Sequence, residues 1–212
     1  MPSMLTAVTV SDLLHQLGDI PPERVRLQST PGTATEADVV AVHGREKRLC
    51  ELVDGVLVEK TMGYYESYIM ATLIRLIGNF VAAHDLGIVA GADGMMRLAP
   101  VLVRIPDVSF VSWEKLPGRR LPRQAIPALV PDLAVEILSE GNTPREMARQ
   151  LDEYFSLGVR LVWLVNPMTE STEVHPSRHQ STVLDKSAAL EGSVILPGFT
   201  LPLSALFPAS PL

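Results

Sequence analysis

The chain has a single cysteine, Cys50, among its 212 residues. One thiol excludes an intrachain disulfide and suits a reducing compartment, so a cytoplasmic protein is expected. No apolar run approaches the roughly 18–20 residues that span a bilayer, and no membrane segment is expected. The N-terminus, "MPSMLTAVTVSDLLHQLGD", lacks a basic lead and acquires acidic residues early, which makes it a poor signal peptide. Positive charge is also short: 18 Lys and Arg stand against 24 Asp and Glu, a formal net charge of −6. That balance argues against a protein that coats nucleic acid nonspecifically. It leaves a nucleic-acid enzyme open, because only the local field at the binding surface counts. Internal repeats and low-complexity segments are absent as well.

What the chain does have is the balance of a globular protein, 47% hydrophobic and 20% charged, at a length that suits one large domain. Ser11 is placed to cap a short helix, "DLLHQLGD", which stops at Ile20-Pro21-Pro22. Residues 29–38 are small and polar and read as a loop, so residues 1–44 are expected to form a helix-and-loop extension and residues 45–212 the main domain. "LCELVDGVLVEK" is a hairpin closed by Asp54-Gly55, a pair suited to two consecutive positive φ angles. From Tyr64 to about His84, apolar residues recur at helical spacing. Short strands follow, then a Pro-rich loop over residues 114–127, then the strand "PDLAVEIL". Thr143-Pro144-Arg145-Glu146 matches a capping box with Pro at the first helical position. That helix runs to Phe155 or Leu157, before Gly158, and "RLVWLV" is a second, fully apolar strand. Strand, helix and strand of this length imply a parallel pair. The expected fold class is therefore α/β, a mixed central sheet flanked by helices.

Three acids occupy positions where apolar side chains belong. Glu136 sits between Val135 and Ile137, Asp107 opens "PDVSFV" directly after "VRIP", and Glu51 lies inside "LCELV". Burying an unpaired carboxylate costs several kcal/mol. Convergence on a divalent cation offsets that cost, and Mg²⁺ is a hard ion that takes carboxylate oxygens while keeping several waters. Ion pairs with Arg97, Arg104 or Arg149 offset it equally well, and spacing alone does not join acids so far apart in sequence.

"ELVDGVLVEK", "VRIPDVSFV", "PDLAVEILSEGNTPREM" and "EYFSLGVRLVWLVNP" resemble, in order and spacing, the Uma2 family of restriction-type endonucleases, over roughly residues 45–200. That family resembles the PD-(D/E)XK nucleases, whose restriction-endonuclease-like sheet presents an Asp and a Glu to Mg²⁺. The resemblance implies a Mg²⁺- or Mn²⁺-dependent DNA endonuclease. Asp107 and Glu136 are then its metal-binding catalytic acids, and Glu51 is an upstream acid that helps hold the ion. Cutting both strands needs two sites, which a homodimer supplies.

The superfamily's usual lysine, two residues beyond the second acid, is Leu138 in this chain. Many family members place the lysine on the following helix, four residues before a tyrosine. Here that position is Gln150, ahead of Tyr154, and Gln150 carries no charge. Gln150 is thus the third expected catalytic position, and restoring a lysine there is expected to raise cleavage tenfold or more, roughly 1.4 kcal/mol of barrier. On a helical wheel Arg149 points nearly opposite, to solvent. The uncharged Gln150 also leaves room for a second reading, an inactive nuclease-like module that binds DNA or protein. Lys115, Arg119, Arg120 and Arg123 form a basic cluster suited to phosphate contacts.

Overall fold

A computed structural model describes residues 7–207. Its centre is a six-stranded mixed sheet in the order β11-β10-β9-β8-β7-β4. These strands are Gln180–Asp185, Ser171–Ser177, Leu161–Asn166, Leu133–Ile137, Val108–Ser112 and Gly87–Gly91. The β8–β9 pair is parallel and the other pairs are antiparallel. A second, antiparallel sheet runs β1-β3-β2-β6-β5, from Val25–Arg26, Val56–Glu59, Cys50–Val53, Leu102–Arg104 and Met96–Ala99. The strands β12 (Ala189–Glu191) and β13 (Thr200–Pro202) pair separately. The expected mixed central sheet is present, and the hairpin belongs to a second sheet because it pairs with β6 and not with the β7–β9 ladder.

Strand periodicity decides what each face meets. Leu133, Val135 and Ile137 of β8, with Leu161, Trp163 and Val165 of β9, pack against α3 (Tyr64–Ala83) and the C-terminal apolar residues. Helix α3 contributes Ile69, Leu73, Ile77 and Val81, one buried apolar residue per turn. The alternate residues Ala134, Val162 and Leu164 face α4 (Pro144–Ser156), α1 (Val10–Gln16) and the hairpin residues Val53, Val56 and Val58. Beyond the hairpin, α2 (Glu36–Glu46) covers Leu52 and Leu57 with Val39 and Val42. Glu136 and Glu51 both fall on the inner faces, between the sheets.

Several local expectations need correction. Helix α1 begins at Val10 and its cap is Thr9, not Ser11: Thr9 Oγ1 accepts from Asp12 N at 3.1 Å and Asp12 accepts from Thr9 N at 2.9 Å. Residues 36–46 form a helix that overlaps the end of the loop expected over residues 29–38. Asp38 closes its first turn by accepting from Thr35 N at 2.8 Å. The N-terminal segment is also built into the core. Gly32 N and Ala34 N both donate to Gly55 O at 2.9 Å, and a Cβ on Gly18 would lie 2.6 Å from the Glu146 Cα. The hairpin turn has positive φ at both Asp54 (51°) and Gly55 (73°), as its sequence demands.

Candidate active site

Antiparallel pairing of Val108 with Val135 continues one step further to set Asp107 opposite Glu136. The two acids thus face each other at the mouth of adjacent strands, and both are buried. Between them lies a side chain that the sequence reading overlooks, Lys60. Val56, Val58 and Lys60 alternate along the hairpin, so the lysine continues the inward row just past the end of β3. Its Nζ stands 3.0 Å from Asp107 Oδ1 and 3.1 Å from Glu136 Oε2, and donates to Ile105 O at 2.6 Å. A lysine at the inward end of an alternating strand was the available signal.

The two carboxylates are held differently. Asp107 Oδ2 accepts from Ile137 N at 2.7 Å, while Oδ1 has no hydrogen-bond partner despite its closeness to Lys60. Glu136 Oε1 accepts from Gln150 Nε2 and from the Tyr154 hydroxyl, each at 2.6 Å. Gln150 is therefore bonded directly to Glu136. Burial pushes the Glu136 carboxyl up; Lys60 offsets part of this, Asp107 and Glu51 add to it, and the net value is about 7. For Lys60, burial disfavours the ammonium, but Asp107, Glu136 and Glu51 outweigh it and hold the pKa above the ordinary lysine value.

A narrow opening of about 20 Å³ reaches this cluster, room for one water or ion. Thr61, Asn142 and Arg24 line it beside the acids and Lys60. Arg24 comes from the segment expected to lie outside the domain. Its charge is matched by Glu146 in a bidentate pair at 2.8 and 2.9 Å, which also uses the Glu146 carboxylate that a complete capping box would direct to its own helix N-terminus.

Glu51, expected to share the metal, is tied up elsewhere. Arg104 Nη1 donates to its Oε2 at 2.5 Å and Ile105 N to its Oε1 at 2.9 Å, so both oxygens are engaged. Burial would raise its pKa, yet Arg104 and Lys60 lower it below the ordinary glutamate value. Among the described residues no group of three or more His, Cys, Asp or Glu side chains converges as a metal site. Arg149 also departs from expectation: it is partly buried and bonds Asp54 Oδ2 and Glu153 Oε1 at 2.8 Å each.

The basic cluster divides. Lys115 is bound to Asp132 at 3.2 Å and to backbone carbonyls of Val130 and Pro131, and Arg119 pairs with Asp85 while lying 4.7 Å over the Trp113 ring. Both follow Ser112, the end of β7 opposite to Asp107, roughly 17 Å along the strand at about 3.3 Å per residue. Arg120 and Arg123 are exposed. Cys50 is buried and burial pushes its thiol to about 11, which suits packing and not nucleophilic attack.

A profile of the Uma2 family, described as "Putative restriction endonuclease", matches residues 36–204. The chain belongs to the Uma2 family. The matched region begins at the start of α2. A similar solved structure is that of "a putative nuclease belonging to DUF820" from Anabaena variabilis, with TM-score 0.67 and 19% identity, covering 76% of this chain and 90% of that one. At that identity the likeness establishes the fold alone, a mixed α/β fold shared by the two chains. No curated protein matches the chain. No helix of the described residues is long and apolar enough to cross a membrane.

Proposed function

We propose that this Uma2 protein is a Mg²⁺- or Mn²⁺-dependent DNA endonuclease that hydrolyses phosphodiester bonds at the Asp107–Glu136 opening. One observation carries the reading: two buried carboxylates face each other across adjacent strands and share a single ammonium, at an opening sized for a single ion. Mg²⁺ is commonly held by one or two carboxylates, so Asp107 and Glu136 would be a sufficient protein contribution without Glu51. When bound, the ion polarises the phosphodiester and lowers the pKa of a bound water. Asp107 and Glu136 would orient that ion against the strand ends. Lys60 would keep a positive charge beside the scissile phosphate, where negative charge grows in the transition state. Ile105 O and the two acids limit where its ammonium can go.

The reading of an inactive module rested on the uncharged Gln150. With Lys60 in the cluster, the absence of a lysine from the helix no longer argues for lost activity. A homodimer remains the simplest source of the two sites that double-strand cleavage needs. The test is nicking of supercoiled plasmid with Mg²⁺ or Mn²⁺, with and without chelator, by the parent, Asp107→Ala and Glu136→Ala. Metal-dependent nicking lost in both variants is expected. Undiminished nicking in both would place the chemistry elsewhere.

A further inference from the structure

Glu136 is gripped by two side chains of one helix, and they grip a single oxygen. Gln150 and Tyr154 are four residues apart on α4, so both project from the same face one turn apart. The Tyr154 hydroxyl donates to Glu136 Oε1 and accepts from Gln150 Nε2 at 3.0 Å, so its donor and acceptor roles are both used. The ring is fully buried, where a phenol requires such partners. Helix α4 is itself fixed at its start by Thr143, whose hydroxyl accepts from Glu146 N at 3.0 Å, and by the Arg24–Glu146 pair.

We infer that Tyr154 is a positioning residue for the Glu136 carboxylate, selecting Oε2 as the oxygen presented to the opening. This rests on the metal-dependent reading of the site. Rotation about the terminal bond of a glutamate is soft, so packing alone does not decide which oxygen faces outward. Two donors on Oε1 occupy its lone pairs and leave Oε2 toward Lys60 and the opening. Replacing Tyr154 by Phe keeps the ring and removes one of the two donors. The carboxylate is then freer to turn, and its orientation must be set anew each time an ion binds.

The test is Mn²⁺ binding by isothermal titration calorimetry on the parent and Tyr154→Phe, with thermal melting alongside. Partners that orient a metal's ligands typically contribute 10- to 100-fold in affinity or activity. The expected result is a Mn²⁺ Kd weakened by about tenfold or more in Tyr154→Phe, with kcat for plasmid nicking lowered and KM for DNA within about twofold of the parent. A purely structural tyrosine predicts the reverse: a lower melting temperature and an unchanged Mn²⁺ Kd, which overturns the proposal. Should Tyr154→Phe fail to fold, Gln150→Met removes the other donor to the same oxygen, and unchanged Mn²⁺ affinity there overturns it equally. A parent that takes up no Mn²⁺ overturns the metal-site reading and this proposal with it. A binding parent beside an equal Tyr154→Phe overturns this proposal alone.

Discussion

Glu51 and Glu136 look alike in the sequence, since each is an acid in an apolar strand, and both end up buried between the same two sheets. Their partners make them opposites. Glu51 meets a guanidinium and a backbone N–H, which stabilise its charged form and lower its pKa. Glu136 meets two neutral donors on one oxygen and shares a single ammonium with Asp107, and its pKa rises to about 7. The first acid is part of a run of ion pairs, Glu51–Arg104–Glu153–Arg149–Asp54, in which each carboxylate touches a guanidinium. The second belongs to a cluster with two acids for one cation. A buried carboxylate therefore signals a site only when its charge is left incompletely compensated.

The largest expected difference between the two regions is in stability. Arg104→Met strands Glu51 in the interior with only a backbone donor, and removing one partner of a buried pair costs about 3–5 kcal/mol. Lys60→Met leaves Glu136 able to take up a proton, so its stability cost should be well below that of Arg104→Met. Its effect should fall on chemistry, a drop of about 10²–10³ in kcat if the ammonium acts on the phosphate. Urea denaturation and plasmid nicking on both variants separate the two roles. Equal stability losses with equal residual activity would erase the distinction.

Elements with strong local patterns were legible in the sequence. The Asp54-Gly55 hairpin, α3, α4 with its Thr143 cap, and the β8–α4–β9 parallel pair all follow from periodicity, turn chemistry and capping. The candidate acids Asp107 and Glu136 stood out because a charge interrupts an apolar row. Helix α2 was hidden because its first turn, after Thr35, is polar and small, although Thr35 and Asp38 spell a capping box. Lys60 was hidden because a lysine closing a hairpin usually faces water, and only its parity with Val56 and Val58 says otherwise. The Glu51–Arg104 and Arg24–Glu146 pairs span 53 and 122 residues, and local pattern carries no information across such distances.

The same comparison predicts opposite pH responses in the metal-free protein. Glu51 has a folded pKa below its unfolded value, so it contributes stability above the unfolded pKa that is lost as pH falls through the folded one. Glu136 has the reverse sign. Its folded pKa of about 7 exceeds the reference 4.5, so the folded chain holds the extra proton and stability declines as pH rises between those values. The decline attributable to Glu136 amounts to about 3 kcal/mol and levels off above the folded pKa. Glu136→Gln, which cannot ionise, should gain on the parent by that amount between pH 4.5 and pH 8, as read by urea denaturation in chelator. A gain independent of pH would mean that Glu136 is ionised throughout and that the two acids are alike after all.

The smallest effect is expected from Gln150→Lys, the substitution for which the sequence reading expects a tenfold gain. That expectation assumed a site without a cation, and Lys60 already stands 3.0 Å from Asp107 and 3.1 Å from Glu136. A second ammonium at position 150 would lie against Glu136 Oε1, where Gln150 Nε2 now donates at 2.6 Å. It would favour the ionised Glu136 and balance the two acids with two cations. Lys and Gln have similar helix propensity, and the added burial of an ammonium is offset by that pairing, so stability should move by no more than about 1 kcal/mol. A balanced cluster attracts a divalent ion less, because part of the negative field that draws it has been neutralised. Gln150→Lys should therefore bind Mn²⁺ more weakly than the parent and show no tenfold increase in nicking. If nicking instead rises tenfold while Lys60→Met leaves it unchanged, the functional cation belongs on α4, and Lys60 joins Arg104 as a residue that only holds the fold.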